Sequence, residues 1–371
     1  MKFCFYGGFA GALKGLTPGG AELQVALLSK ALALKGHEVV IIDPYSKESF
    51  VTEEGVILIN VPEWNKGIKG VRLFLNRIPL LWKMLTEQNA DYYYVRMREY
   101  LHLIPYLAAK KTKGKFIIGI AHDLDTLGII QNIKYDYKFN IYKFFTLDLP
   151  NDLVFNYLLK KSDYITLQHS GQKIKTNSVK GKIGIFPNIF DQRNLPVVED
   201  QSKDYYIHVG SLTVMKGIKN LYQLVRILDR KNLIMIVGQP KGRISNKIYT
   251  QLRKFDNVIL KGRMNHEETL RLIANSKGLI NLSNFEGFPN IFLEAWATGV
   301  PVISLNVNPG NVINKYNLGL FCDGNLNKMK TCIELEETQD IDKNRLISYV
   351  SEFHDFNSAA DRFLILLQQQ N

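Results

Sequence analysis

The sequence predicts an α/β protein of two facing Rossmann-like domains, and three observations carry that prediction. Short β-rich runs alternate with stretches of helical apolar spacing, the pattern of parallel strands buried on both faces by helices. The alternation runs twice, with a break of prolines and charges near residues 184–204 between the cycles. The chain has 371 residues, beyond the usual ceiling for one domain, and 46% of them are hydrophobic, enough for two cores. Doubly wound sheets bind ligands at the carboxyl ends of their strands, so a cleft between the domains is the expected binding place.

In the first cycle, KFCFY (2–6) reads as a strand, and a Gly-rich loop leads into AELQVALLSKALALKG, whose apolar spacing is helical and whose Gly36 suits a C′ stop. HEVVIID completes a strand–helix–strand unit. DYYYV (91–95), KFIIGIA (115–121) and DYITLQ (163–168) are further strands, with a helix near 100–111. GIFPNIFDQRNLPVVEDQSKD (184–204) holds two prolines, scattered charges and no period, and reads as a connection. The second cycle opens with YYIHVGSL (205–212), a strand ending in glycine, followed by the helix KNLYQLVRILDRK. LIMIVG (233–238), NVILKG (257–262), GLINLS (278–283) and VPVISL (300–305) supply four more strands, and the tail LISYVSEFHDFNSAADRFLILLQQQ is helical and amphipathic. The expected extents are 1–190 for the first domain, 191–204 for the linker, 205–350 for the second domain and 351–371 for the closing helix.

Composition narrows the class. No run of eighteen apolar residues occurs, so a membrane span is not expected. The opening MKFCFYGGFAGALKG faintly imitates a signal peptide, but glycines interrupt any apolar core, and it reads as strand and loop. Cys4, Cys322 and Cys332 lack metal-ligand spacing and suit a reducing cytoplasm. Lys plus Arg number 47 against 35 Asp plus Glu, a net charge of +12 that favours anionic partners: nucleotides, phosphorylated substrates, nucleic acid or acidic lipid. Tyr6 stands where YGGFAG would need the first glycine of a dinucleotide fingerprint, and no nucleophile elbow occurs.

The stretch NFEGFPNIFLEAWATGVPVIS (284–304) carries the chemistry. Asn284 to Gly287 form a loop after a strand, Pro289 fits the first turn of a helix, and Gly299 ends it. A loop meeting a helix N-terminus presents backbone N–H groups and the positive dipole end, which suit a phosphate. Glu286 in the loop and Glu294 inside the helix can face one ligand at two depths, and a carboxylate accepts two hydroxyl hydrogen bonds, as sugars and ribose require. Equally, Glu286 can simply support the dipole and Glu294 can be a surface acid.

EGFPNIFLEAWATGVPVI resembles the glutamate-pair motif of retaining glycosyltransferases of family four, which have the GT-B fold of two facing Rossmann domains. PGGAELQVALLSKALALKGHEVVII (18–42), DYITLQHSGQ, KIGIFPNIFD and YYIHVGSLTVMKGIKNL resemble further segments of that family in the same order, and the tail resembles its terminal helix that crosses back to the first domain. The resemblance implies that Glu294 holds the donor ribose and that Glu286 contacts hydroxyls of the transferred sugar. It implies too that backbone around Phe288, Pro289, Asn290 and Ile291 reaches the donor, and that Lys216 neutralises the departing diphosphate after the strand end Gly210–Ser211. Ser211 departs from the family's arginine; a serine offers one neutral hydrogen bond in place of a charged fork, so leaving-group stabilisation is weaker or comes from elsewhere, with Arg263 a candidate. Gly19 and Gly20 let backbone approach the diphosphate and acceptor. His122, at a strand's carboxyl end, matches a histidine near the reacting sugar. Asp123-Leu-Asp125 is similar to the metal-binding DxD of another glycosyltransferase fold, but lysine and helix dipole replace the metal in GT-B enzymes, so neither metal nor cofactor is expected.

On the acceptor side, KGIKGVRLFLNRIPLLWKML (66–85) sets Lys66, Lys69, Arg72, Arg77 and Lys83 among bulky apolar residues, and KYDYKFNIYKFFTLDL (134–149) interleaves lysine with aromatics. Such a surface suits anionic lipid and a lipid-linked acceptor, or is an ordinary helix with its apolar face in the core; no RNA-binding motif accompanies it, and no nucleic-acid partner is expected. The expected function is a retaining, metal-independent glycosyltransferase in the cytoplasm or at the inner membrane face. It takes a UDP- or GDP-linked sugar to a saccharide or lipid-linked acceptor, in bacterial polysaccharide or glycolipid assembly. The alternatives are a nucleotide-sugar epimerase on the same fold and a non-catalytic partner protein that binds nucleotide sugar.

Overall fold

A computed structural model of the chain describes all residues except 17–18, 69, 127–128, 130–139, 175–178, 197–202 and 369–371. The chain divides into two units, Met1–Ile189 with Phe356–Asn371, and Phe190–Asp355. In the first, β1 (Lys2–Tyr6), β2 (Glu38–Asp43), β3 (Phe50–Val51), β4 (Ile57–Asn60), β5 (Tyr92–Arg96), β6 (Lys115–Gly119), β7 (Tyr164–Leu167) and β8 (Lys182–Ile185) form one sheet in the order β3-β4-β2-β1-β5-β6-β7-β8. Its pairs are parallel except β3 with β4. Strand alternation explains the two cores on its faces. Phe3 and Phe5 join helix Gly20–Leu34 on one face, while Cys4 and Tyr6 join helices Ile78–Glu87, Leu103–Thr112 and Leu149–Lys161 on the other.

The second unit holds β9 (Tyr205–Val209), β10 (Leu233–Val237), β11 (Val258–Gly262), β12 (Gly278–Asn281), β13 (Val302–Ser304) and β14 (Gly319–Phe321), all parallel, in the order β11-β10-β9-β12-β13-β14. Counted within the unit this is 3-2-1-4-5-6, the doubly wound order, and its direction reverses between β9 and β12. The first unit reverses in the same way between β1 and β5.

The tail is two helices. Lys343–Phe353 belongs to the second unit, whereas Ala359–Gln368 returns to the first, where Phe363 is fully buried against Phe3, Tyr94 and Phe186. The Tyr164 hydroxyl donates to the Leu367 carbonyl at 2.9 Å. Residues 184–185, the start of the stretch read as a connection, instead end the edge strand β8, whose Lys-Ile-Gly-Ile run pairs with β7. Phe190 bridges to Asp355, so the chain enters and leaves the second unit side by side. No helix among the described residues is long and apolar enough to cross a membrane.

Candidate active site

Of the expected donor residues, Gly210, Ser211, Phe288, Pro289, Asn290, Ile291 and Glu294 follow β9 and β12, the two strands between which the second sheet reverses. β9 ends at Val209, and the loop runs through Gly210, Ser211 and Lys216 to Gly217, which opens helix Ile218–Ile227. Gly217 has φ +77°, and a methyl there would collide with the Leu282 carbonyl, so only glycine lets this loop lie against the one after β12. Hydrogen bonds stitch the loops, among them Asn284 N to Met215 O at 2.9 Å, Asn284 Nδ2 to Val214 O at 3.1 Å, and Asn220 Nδ2 to Leu282 O and to Asn284 Oδ1, both at 3.2 Å.

This seam brings Lys216 and Glu286 together. The Lys216 ammonium pairs with Glu286 Oε1, which also accepts from the Ser283 hydroxyl at 2.8 Å. The Lys216 side chain is 40% exposed and that of Glu286 only 12%, so a mostly covered carboxylate holds an accessible cation in place. His208, on β9 and fully buried, lies close enough to feel both charges; burial chiefly, and then the Lys216 charge, lower its pKa. Its Nδ1 faces the Ile280 carbonyl at 3.1 Å, and its Nε2 has no partner among the described residues.

Beyond the loop, helix Asn290–Ala297 begins one residue later than the sequence suggested. Pro289 is its N-cap, with extended ψ of 122°, and neither a capping side chain nor a first-turn acid offsets its positive end. Phe288 is buried, its ring 5.0 Å from that of His354, so at this position only backbone is available to a ligand. Glu294 is buried rather than a surface acid, and its Oε1 lies 3.3 Å from His266 Nε2. The hydrogen bond to Glu294 raises the His266 pKa against the opposing effect of burial. His266 opens helix His266–Ala274, whose capping box joins Asn265 and Glu268. Sequence reading missed it: N-H-E-E announces a helix start, but nothing local reveals the glutamate 28 residues on.

Arg263 is exposed after β11, two strands from β9. Gly19, Gly20 and His122 lie in the first unit. Gly19 caps helix Gly20–Leu34 in an extended conformation. His122 follows β6, and its Nδ1 accepts from Leu124 N at 3.0 Å, which leaves the proton of the neutral ring on Nε2. The two aspartates beside it have structural partners. Asp125 accepts from the amides of Ala121 and His122 at 3.1 and 2.9 Å, and burial raises its pKa. Asp123 Oδ1 meets His169 Nε2 at 3.1 Å and Gln172 Nε2 at 3.0 Å.

Comparison with known proteins finds glycosyltransferases over both units. The family described as Glycosyl transferases group 1 matches residues 192–349, and Glycosyltransferase Family 4 matches residues 18–157. An uncharacterized glycosyltransferase of Methanocaldococcus jannaschii is 27% identical over 180 residues, 43% of this chain and 43% of that protein, so the match spans under half of it. A second uncharacterized glycosyltransferase of the same organism is 22% identical over 328 residues, 88% of this chain and 87% of that one. Two solved structures share the fold. Sucrose-phosphate synthase of Thermosynechococcus elongatus has a TM-score of 0.76 at 15% identity, covering 100% of this chain and 99% of that one. Anabaena HepE, solved with UDP and glucose, has a TM-score of 0.71 at 14% identity, covering 99% of each chain. With a group 1 second half, a family four first half and two doubly wound sheets, the chain belongs to the GT-B glycosyltransferases of family four.

Proposed function

We propose that the protein transfers a sugar, with retention and without a metal, from a nucleoside-diphosphate sugar to an acceptor hydroxyl. The observation that carries this reading is the Lys216–Glu286 pair at the reversal of the second sheet, with buried Glu294 inside the adjoining helix. Glu294 and His266 take the ribose hydroxyls, the carboxylate accepting and the imidazole holding it in place. Glu286 contacts hydroxyls of the transferred sugar. As the glycosidic bond loosens, charge grows on the diphosphate, and we assign its stabilisation to Lys216 and the positive end of the helix that starts at Asn290. Ser211 adds at most a neutral hydrogen bond there. The acceptor hydroxyl attacks the same face and passes its proton to a departing phosphate oxygen. Asp123 and Asp125 are committed to neighbouring side chains and amides, which favours a metal-free reaction.

HepE was solved with UDP-glucose, so a UDP-sugar is the donor to try first, and a GDP-sugar second. The acceptor is a saccharide or lipid-linked saccharide in polysaccharide or glycolipid assembly. Exposed Ile68, Val71, Phe74 and Leu75 before one helix, and Ile141, Tyr142 and Phe145 before another, favour contact with an anionic membrane at its cytoplasmic face. Lys69 and residues 134–139 of those segments lie outside the described residues.

The test is a thermal-shift and turnover screen with UDP-, GDP-, ADP- and TDP-sugars, without and then with magnesium or manganese. Stabilisation by one donor and slow metal-free release of its nucleoside diphosphate are expected. No shift and no release with any donor would sink the reading.

A further inference from the structure

The amino ends of three neighbouring strands in the first unit carry a cluster of charges that the proposed reaction does not use. KKTKGK (110–115), KKSD (160–163) and KGK (180–182) lead into β6, β7 and β8, and together they hold eight lysines and one acid. Because these strands are parallel, the three stretches meet at one end of the sheet, opposite the end where His122 follows β6. A cavity of about 540 Å³ opens there, within the size range of small-molecule sites. Lys110, Lys115, Lys161, Lys180 and Lys182 line it, with Asp163 as the one carboxylate among the lining residues. Asp163 is already engaged: its Oδ1 lies 3.3 Å from Lys115 Nζ, and its Oδ2 accepts from the Phe116 amide at 2.9 Å. Among the described residues no carboxylate pairs with Lys110, Lys161 or Lys180. Packing shapes the cavity. Gly181 lies so close to the Ser162 and Asp163 carbonyls that a methyl there would collide with both, which seats the third stretch against the second. Lys110 Nζ sits 5.9 Å from the centre of the Tyr106 ring and Lys182 Nζ 6.0 Å from that of Tyr164, while Tyr157 stands edge-on to Tyr106 with centroids 6.0 Å apart.

Lys110 and Lys161 fall in the last turns of their helices, where a cation offsets the dipole. That accounts for two of the five lining lysines. Lys115 and Lys182 begin strands and Lys180 precedes one, so their convergence on the same cavity has no such local cause. Five ammonium groups facing one carboxylate repel one another unless an anion lies between them. We propose that this cavity binds a small anion of linked phosphate groups, a diphosphate or triphosphate, at a site separate from the second unit's charged crevice. Ammonium groups act on phosphate as point charges, and the hydroxyls of Tyr106, Tyr157 and Tyr164 add neutral donors to the same lining. The excess of cations favours a ligand with several charges over a single sulfate or carboxylate. Two sources share this chemistry, a soluble di- or triphosphate and the head group of a diphosphate-bearing lipid. The site stands whether or not the protein transfers a sugar, since every residue in it belongs to the first unit.

Calorimetry with inorganic tripolyphosphate tests this in the Lys216→Ala protein, which lacks the accessible cation of the other crevice. The salt is set at about 0.15 M, where separated surface charges are largely screened. Tripolyphosphate should bind at one site, and far more tightly than sulfate. Lys161→Ala and Lys182→Ala, each added to that protein, should weaken binding roughly tenfold. Lys110→Glu with Lys161→Glu should abolish it, and Lys254→Ala, an exposed lysine outside the cavity, should leave it unchanged. Circular dichroism confirms that each variant is folded. Sedimentation with phosphatidylcholine vesicles that carry diacylglycerol diphosphate separates the two sources. Vesicles that bind and are released by tripolyphosphate identify the lipid head group, and vesicles left unbound identify the soluble anion. Tripolyphosphate that fails to bind, or binds equally well to the folded cavity variants, overturns the site. Vesicle binding by a protein that ignores free tripolyphosphate overturns it too, for that is the behaviour of a charged surface and not of a cavity fitted to a small anion.

Discussion

The two sheets reverse their strand order in the same way, but the crevices they form are chemically opposite. In the second unit the crevice is charged and internally paired: Lys216 meets Glu286, and His266 meets Glu294. The first unit's crevice is close to neutral: the Tyr6 hydroxyl and His102 Nδ1 have no partner among the described residues, and burial raises the pKa of Glu99 beside His102. One topology thus yields one charged crevice and one close to neutral, because the loops after the strands, not the sheet, set the chemistry.

The sharpest way to break this comparison is to damage one unit and ask whether the other notices. Phe363→Ala removes a fully buried ring from the first unit's core and should cost about 3–5 kcal/mol there. Hydrogen exchange should show the loss in residues 1–189 and leave the amides of β9 and β12 near their original protection.

Within the charged crevice, Lys216→Ala should lower kcat by roughly 10²–10³-fold, the usual cost of losing one stabiliser of developing charge. Donor affinity measured by calorimetry should change less than kcat, since the ammonium acts most on the leaving diphosphate. Equal losses in both would make Lys216 a simple binding group.

Glu294→Ala should weaken donor binding by roughly 10–100-fold, as expected for hydrogen bonds to a charged group. It should also let the His266 pKa fall, because Glu294 is the group that raises it. An NMR titration of His266 that is unmoved by the substitution would contradict the pairing.

The smallest effect concerns the neutral crevice. The folded-state pKa of Glu99 is raised to about 7 from an ordinary 4.5, so its contribution favours folding below pH 4.5 and is lost as pH rises through 7. Glu99→Gln should therefore be more stable than the wild type at pH 8, by roughly 1–3 kcal/mol, with no such gain at pH 4.5. Chemical denaturation at the two pH values checks the sign. His102, held neutral by burial with a pKa of about 3, works the other way and loses stability as pH falls below 6.5.

Much of the second unit's charged crevice was legible because its residues lie close in sequence to strong local signals. Glu286 and Glu294 flank a glycine, a proline and a helix start, and Lys216 follows a strand ending in glycine. Burial of Glu294 was less legible, since the helix Asn290–Ala297 is apolar on most sides and only packing shows which flank is covered. Arg263, read as a substitute for the missing arginine, remains an exposed side chain two strands from β9.

By itself the sequence determined the alternation of strands and helices, the two cycles and the glutamate-pair loop, because period, glycine placement and helix stop signals act over a few residues. Tertiary structure alone decided that Lys216 neutralises Glu286 across 70 positions and that His266 holds Glu294. It alone brought Tyr6, Glu99 and His102 together. Strand order is set by long-range pairing, and a side chain's partner across a reversal depends on which strands become neighbours, which no local pattern encodes.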